Sequence, residues 1–166
     1  MRKRHKAILT TTFMARFHDI LWFWLPPTGY MLAIFFVSSL SNPQIGGETP
    51  DYILHTLEYF LLTLLLIRLL LSRQWEGKDF AHWQKACLWG IMFAVGYGIT
   101  DEIHQYFIPG RHCSLMDVFS DAFGAFLAYG AALSDYILVT RCPGWMKLLK
   151  QSEIARTVSY AGHWEQ

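Results

Sequence analysis

The sequence predicts an all-α membrane protein with four transmembrane helices, both termini cytoplasmic and amphipathic helices at the interface on either flank. Three observations predict it. Of the 166 residues, 53% are hydrophobic and only 16% charged. The apolar residues gather in four runs, each comparable with the roughly 20 residues that cross a bilayer core. Of the 14 Lys and Arg residues, 13 lie in the segments that alternation of those runs puts on one side. A small soluble domain has no interior able to bury four such runs, so soluble classes are excluded and no nucleic-acid partner is expected.

Residues 1–27 read as a cytoplasmic and interfacial segment, 28–139 as a four-helix membrane domain and 140–166 as a cytoplasmic tail. Phe13, Phe17, Ile20, Leu21 and Trp24 form an apolar stripe at helical spacing. Arg16 and Asp19 fall outside it, which predicts a helix over 13–24 lying in the interface. The basic start "MRKRHK" fits a signal peptide, but no small-x-small site follows cleanly, so an uncleaved anchor is expected.

The first span covers 28–40, extendable to about 20–40. Pro26 and Pro27 favour a helix start there, the alternative being a kink in a longer helix. The second span covers 53–71. The third, 86–100, is short unless "TDEIHQYF" continues the helix. The fourth covers 118–139. In the tail, Trp145, Met146, Leu148 and Leu149 beside Lys147 and Lys150 predict a surface-lying segment.

Orientation follows from the basic residues. Arg2, Lys3, Arg4, Lys6 and Arg16 precede the first span, and Arg68, Arg73, Lys78 and Lys85 flank the second loop. Arg141, Lys147, Lys150 and Arg156 follow the last span. The first loop, "SNPQIGGETPDY", has no Lys or Arg and the third has only Arg111, so both loops face outward. Trp22, Trp24, Trp75, Trp83 and Trp145 all fall near the inner ends, as an aromatic belt would. Cys87 and Cys142 lie inside and Cys113 outside, so three free thiols are expected.

With this topology, polar residues meet at the outer end of every span. Asp51, His55, Glu58 and Tyr59 share one face of the second, at i, i+4, i+7 and i+8. Asp101, Glu102, His104 and Gln105 end the third, and Asp117, Asp121 and Gly124 open the fourth. Ser38 and Ser41 end the first. An intramembrane charge costs at least roughly 2.5–3.5 kcal/mol on insertion scales, so its repetition at one depth on four segments points to an outward-opening polar pocket. Hydrogen-bonded helix glue is the competing role, evenly balanced for Ser38, Ser41, Tyr59 or Asp121 taken singly. Ordinary packing falls to the small-residue faces, Gly124/Ala128/Ala132 on the fourth span and Gly90/Gly96/Gly98 on the third.

Four stretches, "SSLSNP", "DYILHTLEYFLLTLLL", "GITDEIHQYFIPGR" and "DVFSDAFGAFLAYG", resemble the VanZ-like family of small membrane proteins across most of 28–139. The run DE-x-HQ-x4-GR followed by Asp is its most specific part. Tyr52 stands where that family often has Lys, and Asp121 where it often has Asn, which makes the outer end more acidic. The resemblance carries over Asp51, His55, Asp101, Glu102, His104, Gln105, Arg111 and Asp117 as site positions. It implies a link to low-level resistance to the glycopeptide teicoplanin, without an established reaction.

The residues support two functions. One is a membrane-embedded hydrolase or transferase acting on a lipid-linked or cell-envelope substrate at the outer leaflet of the bacterial cytoplasmic membrane. There His55 or His104 would be the base, and Glu58 or Asp101 would orient it. Arg111, Ser38, Ser41, Tyr59 and Asp121 would bind substrate, Arg111 through a planar fork suited to phosphate or carboxylate. The other is a non-catalytic binder or accessory protein that captures an envelope precursor or a glycopeptide. Membrane lipids are the expected surroundings. No cofactor is expected, the alternative being zinc or manganese held by His55, Glu58, Glu102 and His104, although their spacing matches no metal signature. Four spans without an internal repeat disfavour a permease.

Overall fold

A computed structural model describes residues 17, 20–41, 49–72, 80–111 and 113–141. The expectations for Arg73, Trp75, Lys78, Cys142 and the tail's surface segment, and most of those for the N-terminal segment, lie outside these residues. Among the described residues there are four α-helices and no strand: α1 (Leu25–Ser38), α2 (Asp51–Ser72), α3 (Phe80–Tyr106) and α4 (Leu115–Arg141). The all-α expectation therefore holds. Two stretches, Ile20–Ser38 with 19 residues and Asp51–Ser72 with 22, are long and apolar enough to cross a membrane. The other two helices are longer, 27 residues each, and more polar.

The start of the first span departs from expectation. Residues 20–24, expected in a separate interfacial helix, form a π-helical segment that runs straight into α1. Pro26 and Pro27 do occupy the first turn of α1. Neither carries an N–H, so neither can bond the carbonyls of Trp22 and Phe23, and the α-type ladder is interrupted there. A wider turn carries the helix across the gap. The Thr28 hydroxyl donates to the Trp24 carbonyl at 2.7 Å, with that of Leu25 at 3.2 Å.

The third span is also longer than its apolar run. Its helix continues through "TDEIHQY" to Tyr106. After it the chain turns through Phe107 N–H to His104 O (3.0 Å) and Arg111 N–H to Ile108 O (3.1 Å). Gly110 sits in this turn at φ 82°, a left-handed conformation that L side chains rarely adopt.

Contacts fix the helix directions. The Arg68 guanidinium lies 5.2 Å from the Phe23 ring centroid, which brings the end of α2 beside the segment ahead of α1. The Tyr97 hydroxyl donates to the Met31 carbonyl at 2.6 Å, so α3 runs alongside α1. A Cβ on Gly90 would meet Ile67 Cγ1 at 2.8 Å, and one on Gly98 would meet Tyr59 at 3.1 Å, so α2 and α3 are antiparallel. Gly124 lies against the Thr56 carbonyl, where a Cβ would collide with backbone. The first half of α4 thus runs with α2. Gly96, expected on the packing face, has nothing within 4 Å of its Cβ position. It lies 200° around the helix from Gly98, on the opposite side.

Ile34, Tyr59, Leu62, Leu66, Ile91, Ala94 and Ala125 form the core. Large apolar side chains also cover the outside: Leu32 and Phe36 on α1, Leu57 on α2, Met92 and Phe93 on α3, and Phe123 and Phe126 on α4 are exposed. Meanwhile His55, Asp101, Glu102, Gln105 and Asp121 are buried. Such an inverted distribution suits an apolar surrounding far better than water. Trp83, one of the tryptophans expected near the inner ends, is buried, stacked on Phe80 (5.6 Å, 17°) and tilted against Tyr129 (5.9 Å).

The chain divides after Tyr129 into two compact units. In the second, the described residues are helical, with Ser134 Oγ bonded to Gly130 O and Thr140 Oγ1 to Tyr136 O.

Candidate functional site

The helix directions put the last turn of α1, the first turns of α2, the last turns of α3 and the first turns of α4 at one end. The polar residues predicted from sequence meet there. His55 Nδ1 donates to Asp121 Oδ1 at 2.9 Å, joining α2 to α4. Both are buried, Asp121 to 1% exposure. The His55 and Tyr59 rings lie parallel, 2° apart with centroids separated by 6.5 Å. In α3 the Gln105 amide donates to Asp101 Oδ2 at 2.9 Å, a bond within one helix. Glu102, 2% exposed, accepts the Ser114 N–H on Oε2 at 2.8 Å, which ties the end of α3 to the start of α4.

Glu58 is half-buried, within electrostatic range of His55, Asp101, Asp121 and Arg111. Asp117 is likewise half-buried and within range of His55 and Glu102. Ser38 is buried at the end of α1. Asp51 is exposed in the first turn of α2, where a carboxylate suits the helix dipole. Ser41 is exposed, and its contact with the turn is through its carbonyl, which faces Gly110.

The pairings differ from those expected. The carboxylate that orients His55 is Asp121, rather than Glu58 or Asp101. His104 is tied to α1: its Nε2 lies 2.9 Å from Ser39 Oγ and its ring stacks on Phe35 with centroids 4.6 Å apart. The Ser39 hydroxyl also approaches the Phe35 carbonyl at 2.7 Å. One hydroxyl has one proton, and the carbonyl can only accept. Ser39 therefore donates to Phe35 and accepts from His104, which puts a proton on His104 Nε2. Ser39 was missed because spacing drew attention to Ser38 and Ser41. Its place between Ser38 and Ser41 was the available signal.

Among the described residues, four buried polar atoms lack a protein partner: Tyr59 Oη, Glu102 Oε1, Arg111 Nε and Asp121 Oδ2. All four belong to this cluster. A buried polar atom without a partner costs about 1–3 kcal/mol, so each of these groups calls for an explanation. His55, Glu102 and Asp117 each offer a ligand atom, all within 4.8 Å of one another. Glu58 and His104, from the metal set considered on sequence, are not in that group.

Residues 6–139 match the VanZ/LLP1 family. The chain belongs to that family. The match takes in all four α-helices up to residue 139 and every residue of the cluster, and it begins ahead of the first span. Neither the curated proteins nor the solved structures hold a match to the chain. Membership in the VanZ/LLP1 family and the two apolar helices together support a membrane protein.

Proposed function

We propose that this VanZ/LLP1 protein spans the bacterial cytoplasmic membrane four times, with its termini inside and its acid–histidine cluster lining an outward-facing pocket. There it acts on the polar head of a lipid-linked or cell-envelope substrate. The observation that carries the reading is the buried His55–Asp121 pair, flanked by Glu102 and Glu58, at the end of the helices whose loops lack Lys and Arg apart from Arg111. A carboxylate on Nδ1 holds the imidazole in one tautomer and leaves Nε2 as the reactive nitrogen, an arrangement suited to general-base work. Arg111, with an unpartnered buried Nε, is the group to receive a phosphate or carboxylate. The family's association with glycopeptide resistance fits an envelope substrate, teicoplanin or the precursor it targets being candidates.

A binding role without catalysis is the second reading. It is favoured by the bond His55 makes, which goes to the carboxylate of Asp121 rather than to a hydroxyl or thiol nucleophile. In the catalytic reading a water would be the nucleophile. Lipid co-purified with the wild-type chain and with Arg111→Gln, identified by mass spectrometry, tests the substrate class. Enrichment of a phosphate-bearing polyprenyl or phospholipid species in wild type, lost in Arg111→Gln, is expected. Identical bulk lipid in both would overturn it. With that ligand known, His55→Gln separates the roles: retained binding with a lost phenotype indicates catalysis, whereas loss of both indicates a binder.

A further inference from the structure

The acids in the cluster outnumber its cations. Glu58, Asp101, Glu102, Asp117 and Asp121 lie within electrostatic range of one another or of His55, and Arg111 is the one Lys or Arg among them. Acids gathered in this way repel one another, and a further cation among them would relieve that repulsion. We propose that His55, Glu102 and Asp117 bind one divalent transition-metal ion, zinc or manganese, and that Asp121 is the outer carboxylate that orients His55.

The three ligands come from three helices, α2, α3 and the first turn of α4, and their ligand atoms lie within 4.8 Å of one another. At metal–ligand distances of about 2.0–2.2 Å, tetrahedral ligand atoms stand about 3.4 Å apart, so a small inward movement closes the set. A second observation points to the ion. Glu102 is 2% exposed and its Oε1 has no partner among the described residues, while Oε2 is held by the Ser114 N–H. The carboxylate is thus fixed with one oxygen left over. Imidazole with carboxylates suits zinc and manganese. A ligating histidine generally donates its other N–H to a carboxylate, which is the bond His55 makes to Asp121. Three protein ligands leave a coordination position for substrate, the pattern of catalytic rather than structural sites.

The inference takes the cluster to be the functional site but does not depend on the lipid. Metal uptake and lipid recovery are separate measurements, so either can fail alone. The test uses the full chain in detergent, stripped with chelator and titrated with zinc or manganese chloride, in a Cys113→Ser background because the exposed Cys113 directly precedes Ser114, which bonds Glu102. One equivalent per chain is expected. Glu102→Gln should weaken binding at least about 100-fold, and Asp121→Asn about 10–100-fold without changing the stoichiometry. Uptake below half an equivalent, or uptake that persists in Glu102→Gln with Asp117→Asn, would overturn the proposal. X-ray absorption of the zinc-loaded Cys113→Ser chain needs no ligand variant to fold. One imidazole nitrogen with oxygen ligands supports the site, and two or more imidazoles or any sulfur overturn it.

Discussion

Asp121 carries more of the site than its place in the sequence announces. Helical spacing puts it on the same face as Asp117 and Gly124, but spacing within a helix does not say which neighbour that face meets. The structure makes it the partner of His55, at 2.9 Å and 1% exposure. An amide oxygen at this position can accept the same N–H without the charge. Asp121→Asn should therefore fold, whereas Asp121→Ala leaves Nδ1–H without an acceptor between α2 and α4. Interhelical hydrogen bonds within membranes average roughly 0.6 kcal/mol and reach about 1.7, so Asp121→Ala should cost about 1–2 kcal/mol and Asp121→Asn less than half of that. Unfolding in mixed micelles measures both, and equal losses would deny the bond its role. Ser39 is the counterpart: it holds His104 by one bond that no one-dimensional period reveals.

For whole elements, the hydrophobic runs located all four helices, because apolar length is a property of the chain alone. Their ends were less legible. The third helix continues through its most polar stretch because Asp101 and Gln105 bond each other along one face, and the glycine-bearing turn that stops it comes only afterwards. Ahead of α1, the helix crosses two prolines by widening into a π turn, which propensity alone reads as a stop. The small-residue faces were half legible. Gly124 and Gly98 do admit a neighbouring helix, while Gly96 faces away. Gly124→Val should destabilise by at least about 2 kcal/mol, since its Cβ would meet the Thr56 backbone, which cannot swing aside as a side chain can. Gly96→Ala should be neutral or stabilising by up to about 1 kcal/mol, because it removes backbone entropy in a helix interior. Thermal unfolding of the two variants beside wild type decides it, and a tolerated Gly124→Val would refute the α2–α4 packing.

On the scale of the molecule, apolar side chains outside and acids within fit a lipid surrounding, and the helix directions gather the acids at one end. The sequence made that gathering legible through the alternation of Lys and Arg, which is a signal of sidedness rather than of contact. It could not reveal the charge imbalance at the site, since that depends on which acids the packing brings together. The account turns on the acid end facing outward, and Cys113 reports on it directly: it is exposed, two residues beyond Arg111, while Cys87 is buried. The measurement is labelling of spheroplasts with a membrane-impermeant maleimide, before and after permeabilisation, in a chain whose Cys142 is replaced by Ser. The account predicts that Cys113 reacts fully in sealed spheroplasts and gains nothing on permeabilisation. A Cys113 that stays protected until the membrane is opened would place the acid cluster on the cytoplasmic side and contradict it.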